Sequence, residues 1–192
     1  MELIRQYFET ITPLSDEDWH YFSSRLTAAT FPKKSLILQA GQTEDHLSFI
    51  AEGLVRFYIP GDEENDLTFS FSFAGDFVSA YDSFLTRLPC GYHTEALTNT
   101  TLLRISWSDL QDIYKNTAAG NTIGRHASED LYLTLLRREI SLLKESAEQR
   151  YMQLVIDQPH LIREIPLKYI ASYIGITPQA LSRIRKRISG IS

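Results

Sequence analysis

GITPQALSRIRKRI, residues Gly175 to Ile188, decides how the rest of the chain is read. Four of its last six residues, Arg183, Arg185, Lys186 and Arg187, are cationic, in a chain of 192 residues with a net charge of -5. Taken with LKYIASYI (167–174) before it, the stretch reads helix, tight turn, helix. Leu167, Ile170, Ala171 and Ile174 fall on one face of the first helix. Gly175 suits the left-handed backbone of the turn. Thr177 is an N-cap and Pro178 takes the first helical position, where a missing N–H costs nothing. Ala180, Leu181 and Ile184 then point inward, leaving Gln179, Ser182, Arg183, Lys186 and Arg187 outward. Such a helix–turn–helix places its second helix in the DNA major groove. Gln and Arg suit bidentate contacts with adenine and guanine, and the other cations suit phosphates. The alternative is a helical hairpin whose basic face is structural or binds protein.

The charge is distributed to match. Residues 1–115 carry 8 Lys or Arg against 17 Asp or Glu, whereas residues 160–192 carry 6 against 1. An acidic body with a basic end points to an anion-binding module attached to something else. The single cysteine, Cys90, excludes an internal disulfide and any cluster that needs several thiolates. The N-terminus has no signal-peptide pattern, and no run approaches the roughly 18 apolar residues of a membrane span. A soluble cytoplasmic protein with no membrane partner is expected.

Upstream of the hairpin, Asn121 to Gln149 reads as one long helix. Leu133, Leu136, Ile140, Leu143 and Ala147 recur at alternating steps of three and four, an a/d seam. Leu135 and Leu142 lie beside it, placed to face a β domain. The seam predicts a homodimer, against a plain amphipathic helix on a monomer. Before it, SLILQAG, LSFIAEGLVRFYIPG, DLTFSFSFAGDFV and HTEALTNTTLLRIS are short runs rich in β-branched and aromatic residues, punctuated by Gly41, Gly53, Gly61 and Gly75. LTFSFSF alternates strictly from Leu67 to Phe73, which predicts one apolar and one polar face. PGDEEND reads as a hairpin tip. An antiparallel sandwich or barrel is expected over residues 30–106. Glu2 to Ala28 reads as helical, with a restart at Ser15, an N-cap followed by Asp16, Glu17 and Asp18.

Catalytic and metal signatures are missing. His20, His46, His93, His126 and His160 have no metal-ligand spacing, and each reads as structural or solvated. There is no Ser-His-Asp order, glycine-rich phosphate loop or paired-carboxylate pattern. No metal or cofactor is expected, and not an enzyme; a cupin-type activity lacks its ligand cluster. The acidic runs SDEDW and GDEEND fit a helix start and a hairpin tip better than cation sites. Cys90 is a candidate redox-sensing thiol, against a small space-filler.

SLILQAG, LSFIAEGLVRFY, FAGDFV and IPLKYIASYIGITPQALSRIRKRI together resemble the Crp/Fnr family of bacterial transcription regulators, over nearly the whole chain. The resemblance implies an α+β chain. Its antiparallel β-roll, of double-stranded β-helix or jelly-roll type, is of the cyclic-nucleotide-binding kind and flanked by helices. A long dimerisation helix and an all-α helix–turn–helix follow. The implied divisions are a sensor over 1–120, the dimerisation helix over 121–149 and the DNA-binding domain over 150–192. Gln179 and Arg183 match base-reading positions, and Thr177 and Ser182 match phosphate or base contacts. The implied partners are double-stranded DNA and a second copy of the chain, with room for RNA polymerase and a small-molecule effector.

Departures from the family pattern bear on the effector. The family binds ribose with the Glu of a Gly-Glu-Leu stretch and the cyclic phosphate with an Arg-Ser pair. Here Ala80 stands at the Glu position and Cys90-Gly91 at the Arg-Ser position, with Arg87 nearby and able to replace the cation only if the loop is reshaped. A buried phosphate without its charged partner is costly, so cyclic AMP is not expected to bind in the usual mode. A cavity lined by Phe71, Phe73, Val78, Tyr81 and Tyr92 beside that loop suits an apolar or aromatic effector; the alternative is a collapsed aromatic core. The chain stops at Ser192, directly after the recognition helix, so no β-wing is expected. Without an N-terminal cysteine cluster, iron–sulfur sensing is not expected either. A homodimer reading a pseudo-palindromic operator is the first expectation. A non-enzymatic ligand-binding or protein-interaction module is the second.

Overall fold

The computed structural model describes residues 1–62, 66–157 and 159–190. Part of the PGDEEND tip therefore lies outside the described residues, as does the side chain of His160. The chain divides into two compact units, Met1–Phe57 with Phe71–Leu131, and Tyr58–Ser70 with Tyr132–Ser192.

The first unit opens with α1 (Glu2–Ile11) and α2 (Asp16–Ser23). Ser15 caps α2, its Oγ accepting from the Asp18 N–H at 3.0 Å. The helical reading ran a few residues too far. Thr27–Phe31 is strand β1, paired antiparallel with β8 (Thr100–Ser106). TAATF has two β-branched residues and a ready partner, and the pairing outweighs any helical continuation. Between β1 and β8 lie β2 (Leu36–Leu38), β3 (His46–Glu52), β4 (Leu54–Ile59), β5 (Leu67–Phe73), β6 (Phe77–Val78), α3 (Tyr81–Thr86) and β7 (His93–Ala96). The strands nest, first beside last and so inward, giving two sheets ordered β1-β8-β3-β6 and β2-β7-β4-β5. This winding is that of a jelly roll, as the resemblance implied. A core of Ile4, Phe8, Phe22, Phe49, Phe84, Ile105, Leu110 and Ile113 joins α1, α2 and α4 (Trp107–Asn116) to the roll.

Gly53 lies at the corner between β3 and β4, with φ +108°; a Cβ there would sit 2.4 Å from Thr100 Oγ1 and 2.7 Å from Thr100 Cα. Both the left-handed backbone and the contact demand glycine. The alternation of LTFSFSF does not translate into one buried face. Leu67 is exposed and Thr68 is buried, because the first residues of β5 belong to the second unit, where Ser172 meets them.

α5 (Gly120–Lys144) begins in the first unit and ends in the second. The single helix expected over 121–149 is two. α6 (Ala147–Asp157) starts with a reciprocal cap: Ser146 N–H donates to Gln149 Oε1 at 2.8 Å and Gln149 N–H to Ser146 Oγ at 3.2 Å. That capping box, S-x-x-Q, ends one helix and opens the next. Ala147 is thus the first residue of α6 and leaves the proposed seam. Leu133, Leu136, Ile140 and Leu143 remain on α5, between 36% and 82% exposed. Leu135 and Leu142 are exposed as well. α7 (Pro159–Glu164), α8 (Leu167–Tyr173) and α9 (Pro178–Ser189) complete the second unit.

Candidate nucleic-acid interface and effector loop

α8 and α9 form the predicted helix–turn–helix. Ile170, Ala171 and Ile174 of α8 and Leu181 and Ile184 of α9 are buried, and Ala180 is half-buried. Leu167, on the same face, is 38% exposed: it is the first residue of α8, one turn before Ile170 and Ala171. Gly175 turns the chain at φ +78°. Its N–H donates to Ser172 O and the Ile176 N–H to Ala171 O, both at 3.0 Å, which is a Schellman ending. Thr177 caps α9, its Oγ1 accepting from the Ala180 N–H at 3.2 Å, with Pro178 in the first turn.

The outward residues fall where the sequence placed them. Gln179, Ser182, Arg183, Lys186 and Arg187 are all exposed on α9. Arg187 is also ion-paired with Glu148 of α6, so it braces the helix as well as charging it. The N-terminal half of α9 presents Gln179, Ser182 and Arg183 as one polar stripe, and its last turn carries Lys186 and Arg187.

At the candidate effector loop, Ala80, Cys90 and Leu38 are buried together with Tyr92 packed against them. Ala80 and Cys90, which the resemblance sets against the family's ribose and phosphate contacts, thus lie in apolar packing. The Tyr92 hydroxyl donates to the Asp82 carboxylate, and burial, then that carboxylate, pushes its pKa up. Cys90 Sγ lies 3.2 Å from Tyr92 O, and burial pushes its thiol pKa up, away from the reactive thiolate. Arg87 turns to the loop before β3. It donates to Glu44 O at 2.8 Å, pairs with Asp45 and lies 5.3 Å from the Trp107 ring. The Tyr81 ring stacks on Phe84 and its hydroxyl lies 3.1 Å from Ser128 Oγ on α5. Val78 is buried, Phe71 and Phe73 are half-buried, and Gly91 is exposed.

Several polar residues escaped the sequence reading. Arg56 on β4 is 2% exposed and lies 3.3 Å from Glu95 Oε2 on β7. Arg56 is the one charge in LVRFYI, and that anomaly was its only signal. Glu44, also buried, accepts from the N–H groups of Asp45 and His46 at 3.0 Å. Arg104 Nη2 lies 3.0 Å from His46 Nδ1, and burial, then that guanidinium, holds the imidazole pKa down. Arg138 and Arg150 reach the turn of the helix–turn–helix and are taken up below. Among the described residues, no group of three or more His, Cys, Asp or Glu is placed to hold a metal. Among them, too, no helix is long and apolar enough to cross a membrane.

Residues 28–117 match the family model of the cyclic nucleotide-binding domain. Solved structures extend the likeness to the C-terminal helices. A regulator assigned to the Crp/Fnr family from Eubacterium rectale is 16% identical, with a TM-score of 0.72, over 92% of this chain and 84% of that one. The chain has the Crp/Fnr fold. CLP of Xanthomonas campestris, a c-di-GMP-responsive global regulator, has the same fold at 16% identity and a TM-score of 0.67, covering 92% of each chain. A CooA variant from Carboxydothermus hydrogenoformans shares it at 17% identity and a TM-score of 0.69, over 88% of this chain and 79% of that one. No curated protein matches the sequence at a significant level. Within the Crp/Fnr fold, the β-roll and the α8–α9 hairpin fall where the sequence placed them.

Proposed function

We propose that the chain is a transcription regulator that binds DNA as a homodimer. The observation that carries this reading is α9: a capped helix on two buried faces, with Gln179, Ser182 and Arg183 exposed toward its N-terminal end and cations behind them. Two such helices, held by paired α5 seams, meet successive major grooves about one helical turn apart. Leu133, Leu136, Ile140 and Leu143, an exposed apolar row in the single chain, supply the seam. Cyclic AMP is not the effector in the usual mode, since Ala80, Cys90 and Tyr92 pack where its charged contacts belong. An effector, if it acts here, must favour one dimer geometry over another.

Selection from a random DNA library at two salt concentrations tests the reading. A pseudo-palindrome is expected, and Arg183→Ala is expected to relax one position in each half-site by about 1–3 kcal/mol. Absence of any motif, with weak binding that vanishes at moderate salt, counts against sequence-specific regulation.

The seam has its own test. Ile140→Asp places a charge in the middle of the row and is expected to shift sedimentation from dimer to monomer and to abolish full-site binding. A variant that stays dimeric removes α5 as the dimer contact.

A further inference from the structure

The C-terminal end of α8 is held from three directions. A helix leaves its last four carbonyls without intrahelical partners. In α8 these are the carbonyls of Ala171, Ser172, Tyr173 and Ile174. The Schellman turn satisfies the first two, through Ile176 and Gly175. The other two are met by guanidinium groups from other helices. Arg138 of α5 donates to Tyr173 O at 2.6 Å, and its guanidinium lies 3.8 Å from the Tyr173 ring centre. Arg150 of α6 donates twice to Ile174 O, from Nε at 3.0 Å and Nη2 at 2.9 Å. Its remaining nitrogen donates to Glu145 O, at the end of α5. One cation thus sits between two helix C-termini, where both dipoles favour it.

Ser172 supplies the third hold. Its hydroxyl donates to Asp66 O and accepts from the Thr68 N–H, both at 2.8 Å. The hydroxyl completes the backbone pairing at the start of β5 as a neighbouring strand would. Residues 172, 173 and 174 are therefore gripped in turn by β5, α5 and α6. The recognition helix begins only four residues later, at Pro178. β5 and α5 are also elements that run from one compact unit into the other.

We infer that residues 172–174 form a junction that aims the recognition helix, with Arg138, Arg150 and Ser172 as its positioning residues. The start of β5 holds Ser172, and helix α5, which carries the exposed apolar row, holds Tyr173. Arg150 locks the break between α5 and α6 to the same turn. None of the three is asked to touch DNA. They fix the angle at which Gln179 and Arg183 are presented, so this inference deepens the regulator reading and rests on it for its purpose.

Amide hydrogen exchange on the full-length chain tests the junction without reference to DNA. Ser172→Ala is expected to speed exchange at Thr68 about tenfold, and Arg138→Met to speed exchange at Gly175 and Ile176 by a similar factor. Coupling is the decisive readout. Arg138→Met alone is expected to speed exchange at Thr68, and the double variant to change it by less than the product of the two single effects. Arg138→Lys and Ser172→Thr, which keep a donor and a hydroxyl, are expected to restore most of the protection. Purely multiplicative effects, or an unchanged Thr68 rate in Arg138→Met, overturn the junction.

A second measurement separates this outcome from the regulator reading. On the selected operator, Arg138→Met is expected to weaken binding about tenfold with the salt dependence unchanged, because no phosphate contact is lost. A shallower salt slope would make Arg138 a DNA contact and overturn its positioning role. If the unaltered chain selects no operator while exchange at Thr68 and Gly175 is coupled, the regulator reading fails and the junction stands.

Discussion

Glu95→Ala is expected to destabilise the protein by about 3–5 kcal/mol, the usual penalty for removing one partner of a buried ion pair. The Arg56 side chain is 2% exposed and that of Glu95 12%, with 3.3 Å between Nη1 and Oε2. The substitution takes a carboxylate from a guanidinium that water barely reaches, so a buried charge loses one of its partners. Urea unfolding followed by circular dichroism measures the change. The double substitution Arg56→Met with Glu95→Leu is expected to recover most of the loss, because apolar side chains of similar volume often replace a buried pair at little cost. A single variant that loses under about 1 kcal/mol would place the pair with exposed ion pairs. The same result would show that the roll interior around β4 and β7 is wetter than its packing indicates.

Leu181→Ala ranks next. Leu181 is 1% exposed, in a core shared with Ile170, Ala171 and Ile174. Truncating a buried leucine costs about 2–5 kcal/mol, the spread reflecting how far the cavity collapses. Leu181 is among the most deeply buried side chains of its unit, so its truncation is expected to loosen α9 from α8. DNA binding then disappears at every sequence. Arg183→Ala behaves differently, weakening one base position while leaving the unfolding free energy within about half a kcal/mol of the parent. Melting curves and binding isotherms on the two variants distinguish loss of the fold from loss of a contact. A Leu181→Ala protein that binds its operator normally would mean that α9 is held by something other than this core.

The parts of the chain that were legible from sequence are those whose signal is local. Thr177-Pro178 announces a helix start because cap and first turn lie within four residues. Gly175 announces a turn because its backbone requires positive φ. The nested strands of the roll were legible as strands, although their order depends on pairings such as Thr27 with Arg104, far apart in the chain. The break at Ser146 was written in the sequence as a capping box, but the heptad spacing through Ala147 concealed it. Arg138 and Arg150 had no local signal at all. Their partners are carbonyls exposed only because α8 ends, 24 residues from Arg150 and 35 from Arg138 in sequence. Ser172 is likewise an ordinary helix residue until Thr68 and Asp66 are brought beside it. At the effector loop the sequence identified what is missing at Ala80 and Cys90, while the packing of Tyr92 and Leu38 into the gap required three dimensions.

The seclusion of Cys90 has a practical consequence. It is the sole thiol of the chain, 3% exposed, and its pKa is raised by burial. A maleimide dye or spin label will react far faster with a cysteine introduced on the surface than with the native one. Paired probes at Gln179 and Thr134, for instance, can be attached without first deleting Cys90. The swing of the recognition helix against α5 then becomes a distance that spectroscopy can follow in solution, on the natural sequence at every other position.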